Sequence, residues 1–177
     1  FVLRAGGQDQ KFTHILDAFA QEVMRRQTSL VMMDWQPVAL YINGEYWGMF
    51  DLREKINEEY LETHEGIDKD NVDIIKGNST VLAGSNKEYL ALIDYVKTHD
   101  LTVAENYKYV TDRVDIDNFI DWLLVQIFFC NGDTGNKKCY KERVEGAKWR
   151  WIMFDLDMTL RVEALWDRDD YNMLKLM

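Results

Sequence analysis

The stretch CNGDTGNKKCY, residues 130–140, decides how this chain is read. It comes directly after the apolar run FIDWLLVQIFF, residues 119–129, without a spacer. It then supplies Asp133, Asn136, two glycines and the pair Lys137–Lys138. The segment KKCYKERV, the pair Glu145-Gly146 and the segment KWRWIMF read together as a β-hairpin, and its second strand runs out into Asp155 and Asp157. Antiparallel strands lie about 4.8 Å apart, so the two outer ends of a hairpin are neighbours in space. The loop entering the hairpin carries Asp133 and Asn136, and the chain leaving it carries Asp155. If the strand stays extended, residues 155 and 157 point to the same face. The expectation is a cluster of up to three carboxylates and one amide.

Carboxylates held together raise one another's pKa and cost stability, and a divalent cation removes that cost. Hard oxygen ligands with few soft donors suit Mg²⁺ or Mn²⁺. By spacing alone the same residues also fit ordinary uses: Asp133 as a turn former before glycine, Asp155 and Asp157 as strand-end charges reaching water.

The bulk properties narrow the field. A chain of 177 residues suits one domain or a small two-lobed one, and 47% apolar with 13% aromatic residues supplies a real core. A net charge of −10 argues against nucleic acid, whose phosphates need a basic face, and is compatible with cations and metal-chelated phosphates. No run approaches the roughly 20 apolar residues of a membrane span. The two cysteines, Cys130 and Cys139, form no CxxC pair and the three histidines are scattered, which argues against zinc; two separate buried thiols is the simpler reading than a disulfide. The chain opens on FVLRAGG, which reads as the end of a strand, so the sequence is expected to be a fragment whose own N-terminus lies upstream.

Outward from the central stretch, QKFTHILDAFAQEVMRRQ places Phe12, Ile15, Leu16, Phe19, Val23 and Met24 at helical spacing, with Asp9 as a cap and Arg25 and Arg26 in the last turn. In PVALYINGEYWGMFDLRE two β-rich runs flank Asn43-Gly44, which predicts a tight hairpin ending in Arg53 and Glu54. INEEYLETHEG predicts a short helix stopped by Gly66, NVDIIKGN a strand ending near Lys76, and VLAGS a loop. Ser85 with Glu88, and Thr102 with Glu105, have capping-box spacing and should each open a helix. DIDNFIDWLLVQIFF should form a core helix with Asp115 as its cap and a broad apolar stripe through Ile116, Phe119, Ile120, Leu123, Leu124, Ile127 and Phe128. Trp149 and Trp151 alternate on one strand face and suit core or cleft wall. The tail ALWDRDDYNMLKLM reads as helical.

These pieces, in this order, resemble the spore-coat H protein (CotH) kinase family of atypical, kinase-like proteins. The resemblance rests on LYINGEYWGMFDLREKI, on DIDNFIDWLLVQIFFCNGDTGNKKCY, on KWRWIMFDLDMT and on the opening FVLRAGGQD, and covers most of residues 1–160. It implies an α+β fold, a truncated protein-kinase-like core with two β-hairpins and several helices, in one domain over 1–177. Residues 1–55 would be an N-lobe-like remnant and 56–177 the C-lobe-like part. It further implies transfer of the ATP γ-phosphate to a protein hydroxyl with Mg²⁺, or Mn²⁺ in its place. Carried over by position, Asp133 is the catalytic acid, and Asn136, Asp155 and Asp157 are the metal ligands. Glu54 and Lys76 become cofactor-binding candidates for the nucleotide or its phosphates, and Arg4 in LRAGG is a further candidate. The sequence departs from the family pattern in lacking its upstream Lys-bearing strand, and it carries no GxGxxG loop. Those departures leave room for a non-catalytic pseudokinase or cell-surface binding module of the same fold. The resemblance also leaves a cell-surface, secreted or spore-coat location open for the parent protein. The implied partners are a nucleotide and a protein substrate, without nucleic acid.

Overall fold

The computed structural model describes residues 1–160. In chain order the elements are β1 (Val2–Arg4), a short 3₁₀ turn, α1 (Leu16–Met24), β2 (Trp35–Ile42), β3 (Glu45–Arg53), α2 (Glu58–Glu65), β4 (Val72–Lys76), β5 (Thr80–Ala83), α3 (Lys87–Thr98), α4 (Ala104–Thr111), α5 (Ile116–Phe128), β6 (Lys138–Glu142) and β7 (Arg150–Ile152). The strands form two antiparallel sheets, a three-stranded one in the order β1-β3-β2 and a four-stranded one in the order β5-β4-β6-β7. The fold is α+β, as the sequence implies.

Local chemistry accounts for the first sheet. Asn43 and Gly44 adopt φ of 54° and 85°, the positive pair that a two-residue turn matching strand twist requires. The β2–β3 register shifts between Leu40 and Tyr41, so that Tyr41 faces Tyr46 while Leu40 faces Gly48. Gly48, at φ 126°, takes the bulge backbone that other residues resist. The strand then delivers Arg53 to its inner end, opposite Val2 of β1 and Trp35 of β2.

The second sheet is covered on both faces, and strand alternation decides which side chain goes where. Ile75, Cys139 and Trp151 enter one core with Tyr89, Leu92, Trp122 and Val125 from α3 and α5. Their neighbours Ile74, Tyr140 and Ile152 enter the other, with Leu61 of α2 and Ile56. Trp149 and Trp151 are therefore core residues, and Cys130 and Cys139 are separate free thiols. No described helix is long and apolar enough to cross a membrane.

Several elements depart from expectation. VLAGS contributes a strand, not a loop: Val81 and Ala83 pair with Ile75 and Ile74 of β4. An apolar triplet is too short to show a period, and the open edge of β4 settled its state. Neither capping box forms. Ser85 Oγ accepts from the Lys87 N–H at 3.2 Å, while Glu88 pairs with Lys141 on β6. Thr102 donates to Asp100 instead of capping α4. By contrast Asp115 caps α5, accepting from the Asn118 N–H at 3.2 Å, and Gly66 stops α2 at φ 70°.

The two helices read as amphipathic have the right period but a rotated face. On α1 the buried residues are Asp17, Ala18, Ala20 and Gln21, whereas Phe12, Ile15, Phe19 and Val23 are exposed. The helix begins at Leu16, later than the pattern suggests, and Asp9 serves it from a distance by accepting the Leu16 N–H at 3.0 Å. On α5 the buried residues are Asn118, Trp122, Val125 and Gln126, leaving Ile120, Leu124 and Phe128 exposed. In each case polar side chains with specific inward partners set the orientation. Asn118 Nδ2 bonds the Trp151 carbonyl at 3.3 Å, and Gln21 accepts the Met33 N–H at 2.8 Å. A buried polar group left unpaired costs more than an apolar side chain left in water. The predicted helix over 164–177 lies outside the described residues.

Candidate active site

The loop carrying Asp133 begins where α5 ends. Cys130 turns the chain at φ 49°, and the wholly buried Asn131 anchors the loop. Its Nδ2 donates to Gln126 Oε1 at 2.7 Å, and its Oδ1 accepts the Asp133 N–H at 3.1 Å. Two backbone bonds lace this loop to the segment after β7: Gly132 N to the Met158 carbonyl at 3.2 Å, and Leu160 N to the Phe129 carbonyl at 2.9 Å. Loop and acidic segment are therefore fixed against each other.

The acids themselves are not on a strand. β7 ends at Ile152, and Asp155 lies in the loop beyond it in a left-handed conformation, φ 57°. The extended-strand expectation for 155 and 157 fails for that reason, yet their carboxylates still converge. The Arg4 guanidinium bonds both, to Asp155 Oδ1 and to Asp157 Oδ2, the latter at 2.8 Å. Asn136 Nδ2 donates to the other oxygen of Asp155 across 19 residues of sequence. The structure thus brings Asn136, Asp155 and Asp157 together. Among the described residues no hydrogen bond or ion pair joins the Asp133 carboxylate to them. Among the described residues no three His, Cys, Asp or Glu side chains form a group that could hold a metal ion.

Beneath this layer lies a buried ionic hub that was not singled out from sequence. Asp17, 5% exposed, accepts from Arg4 at 3.0 Å, from Arg53, from Gln21 at 3.0 Å and from the Leu156 N–H at 2.8 Å. Arg53 is almost wholly buried. The signal available was an acid breaking the apolar pattern of α1 and an arginine closing an apolar strand. Burial alone would lower the Arg4 pKa; Asp17, then Asp155 and Asp157, outweigh it and raise it above the ordinary arginine value.

Gly7 is the other residue missed. Its φ is 59°, and a Cβ there would lie 2.0 Å from Asp157 Oδ2. The neighbouring Gln8 N–H donates to that same oxygen at 2.8 Å. Gly7→Ala should therefore displace the Asp157 carboxylate and cost about 1–3 kcal/mol, read by thermal denaturation. A variant as stable as the parent would mean that this carboxylate is free to move aside.

Among the described residues Glu54 and Lys76 make no hydrogen bond or ion pair with the acids, but Glu54 lines a cavity together with Arg4. Glu54 Oε1 lies 3.1 Å from His64 Nε2, and its Oε2 accepts the Asp34 N–H at 3.2 Å. Lys76 ends β4, with its ammonium 5.5 Å from the centre of the Phe154 ring. Lys138, its neighbour on β6, is 4.0 Å from the same ring. Burial, reinforced by Lys76 and Lys55 and opposed by Asp155, lowers the Lys138 pKa to about 8.

The sequence matches the family described as CotH kinase protein over residues 1–172. That is nearly the whole chain, and the fold with its acid–amide–acid constellation is the setting in which the match falls. The chain belongs to the CotH kinase family. No curated protein sequence matches it well enough to count as a relative.

Proposed function

We propose that this domain transfers the γ-phosphate of ATP to a protein hydroxyl, with Mg²⁺ as the metal and Mn²⁺ as a substitute. Residues 1–55 act as an N-lobe-like part and 56–177 as a C-lobe-like part of a protein-kinase-like core. The observation that carries the reading is the contact from Asn136 to Asp155, made between the loop after α5 and the loop after β7 in a chain of a kinase family. The donors suit a hard cation: Asn136 offers an amide oxygen, and Asp155 and Asp157 offer carboxylates. A cationic guanidinium already lies on both acids. Asn136 and Asp155, with Asp157, would hold the metal, which supplies charge neutralisation on the phosphates. Asp133 would orient the acceptor hydroxyl and take its proton, as a carboxylate on this loop can. Glu54 and Lys76 would contact the nucleotide, Lys76 through a phosphate. Phosphoryl transfer asks mainly for positioning and charge stabilisation, so this short set can suffice for the chemical step.

One observation favours a second reading. Arg4 neutralises Asp155 and Asp157 internally, as a non-catalytic binding module of the same fold would require. A thermal-shift titration with Mg²⁺, ATP and both together separates the two. Ligand that binds the folded state raises its melting temperature by mass action. We expect Mg·ATP to raise it well above either component alone, and Asp155→Ala to abolish the increment. No shift at millimolar Mg·ATP would overturn the phosphotransfer reading in favour of the binding module.

A further inference from the structure

Lys137 and Lys138 are consecutive in sequence but line different cavities. Lys138 lines the one that holds Arg4 and Glu54. Lys137 lines a cavity of about 400 Å³ on the opposite face of the second sheet, walled by α3, α4, α5 and the Trp151 side of β7. Strand alternation accounts for the division. Residues two apart share a face, and Lys137 falls in step with Cys139, which belongs to the core under the helices. The main chain at Lys137 extends the ladder, its carbonyl accepting the Gly77 N–H at 2.8 Å. Its side chain is half-buried. Burial raises the Cys139 thiol pKa to about 12, and Lys137 is near enough to oppose that rise.

Apart from Thr134 and Lys137, every residue lining this cavity is aliphatic or aromatic. Leu92, Val110, Trp122 and Trp151 are buried, while Val96 is 38% exposed, so the cavity runs from the core to the surface. Water gains little in such a space, because an ordered water needs about three polar partners. The volume falls within the roughly 300–1,000 Å³ of ligand pockets, which are likewise mostly apolar with a few placed polar groups. Those polar groups define the head of the ligand. Among the described residues no Asp or Glu lines the cavity. Among the described residues the lysines that form ion pairs are Lys69, Lys108 and Lys141, so Lys137 brings a cation without an acid. A half-buried ammonium favours an anion, and a carboxylate makes a charge-assisted hydrogen bond to it. A molecule apolar along its length and anionic at one end satisfies both parts of the lining.

We propose that this cavity binds an aliphatic carboxylate of the fatty-acid class, with its chain among α3, α4 and α5 and its head at Lys137. The site is separate from Asp155 and Asp157, and it does not depend on the phosphotransfer reading. Its two hydrophilic residues, Thr134 and Lys137, belong to the loop that carries Asp133 and Asn136.

Isothermal titration of the full chain with decanoate, below its micelle concentration, tests the site. Decanol supplies the chain without the charge, and butyrate the charge with little chain. Decanoate should bind, and butyrate should not bind detectably. Decanol should bind about tenfold more weakly than decanoate, and so should decanoate to Lys137→Met, the effect of losing one charged hydrogen bond. Methionine keeps the stem of the side chain, and the Gly77 bond is made by the main chain. Val96→Trp puts a large side chain at the exposed rim and should abolish binding of decanoate and decanol alike. It keeps the test decisive if Lys137→Met does not fold. No binding of decanoate to the full chain would overturn the proposal and leave a protein segment as the occupant. Equal binding by the parent and both variants would also overturn it, because the ligand would then sit on another apolar face. Equal affinity of the parent for decanoate and decanol would overturn the assignment of a carboxylate.

Discussion

Asp17→Ala should lower the stability of the chain by about 3–5 kcal/mol, enough to unfold a marginal domain at room temperature. The reason is the charge that the substitution leaves behind. Arg53 is 2% exposed, and among the described residues its only ion pair is with Asp17. Without that carboxylate the buried guanidinium loses its only ion pair among the described residues, and the N–H of Leu156 and the amide of Gln21 lose their acceptor as well. Asp17→Asn keeps the shape and part of the hydrogen bonding and should cost less. Pairing Asp17→Ala with Arg53→Met should recover much of the loss, since replacing both buried charges removes the orphan. Urea denaturation of the three variants reads these differences. A loss under about 1 kcal/mol for Asp17→Ala, or no recovery in the double variant, would mean that water or a rearranged Arg4 takes over the role of the carboxylate.

Asp133→Asn should lower phosphotransfer turnover by about 10²–10⁴-fold while leaving Mg·ATP binding within about twofold of the parent. The amide keeps the size of the carboxylate but cannot take a proton. The loop does not depend on the side chain being charged, because its anchors are the Asp133 N–H on Asn131 and the Gly132 N–H on Met158. The prediction therefore separates chemistry from folding, which Asp155→Ala does less cleanly, since Asp155 also pairs with Arg4 and Asn136. Radiolabel transfer to a generic acceptor protein, beside a thermal-shift binding curve, makes the measurement. Unchanged turnover would refute the role of Asp133 as base.

The parts of the fold legible in the sequence are those decided within a few residues. Asn43-Gly44 specifies its turn because both positions need positive φ. Gly66 ends α2 and Asp115 starts α5 for equally local reasons. Contacts between distant segments were not legible. The inward faces of α1 and α5 are centred on Asp17, Gln21, Asn118 and Gln126, whose partners lie outside their own helices, so apolar periodicity found only part of each face: Met24, Ile116, Phe119 and Leu123 pack on the core, while Phe19, Val23, Ile120, Leu124 and Phe128 stay exposed. At the site, the proximity of Asn136 to Asp155 was legible from hairpin geometry. The convergence of Asp155 and Asp157 comes instead from a left-handed backbone and an arginine at position 4, neither of which has a periodic signature.

That arginine has a kinetic consequence. It meets its acids across 151 and 153 residues, nearly the full described length. Contacts of such separation require the largest loop to close, and they form after the local hairpins and helices have organised the chain. Until then Asp155 and Asp157 are two mutually repelling carboxylates without the cation that joins them. A partly folded molecule is therefore not a partly assembled site, and an intermediate whose hairpins and helices have formed while β1 is still undocked should carry secondary structure with its acidic centre unformed.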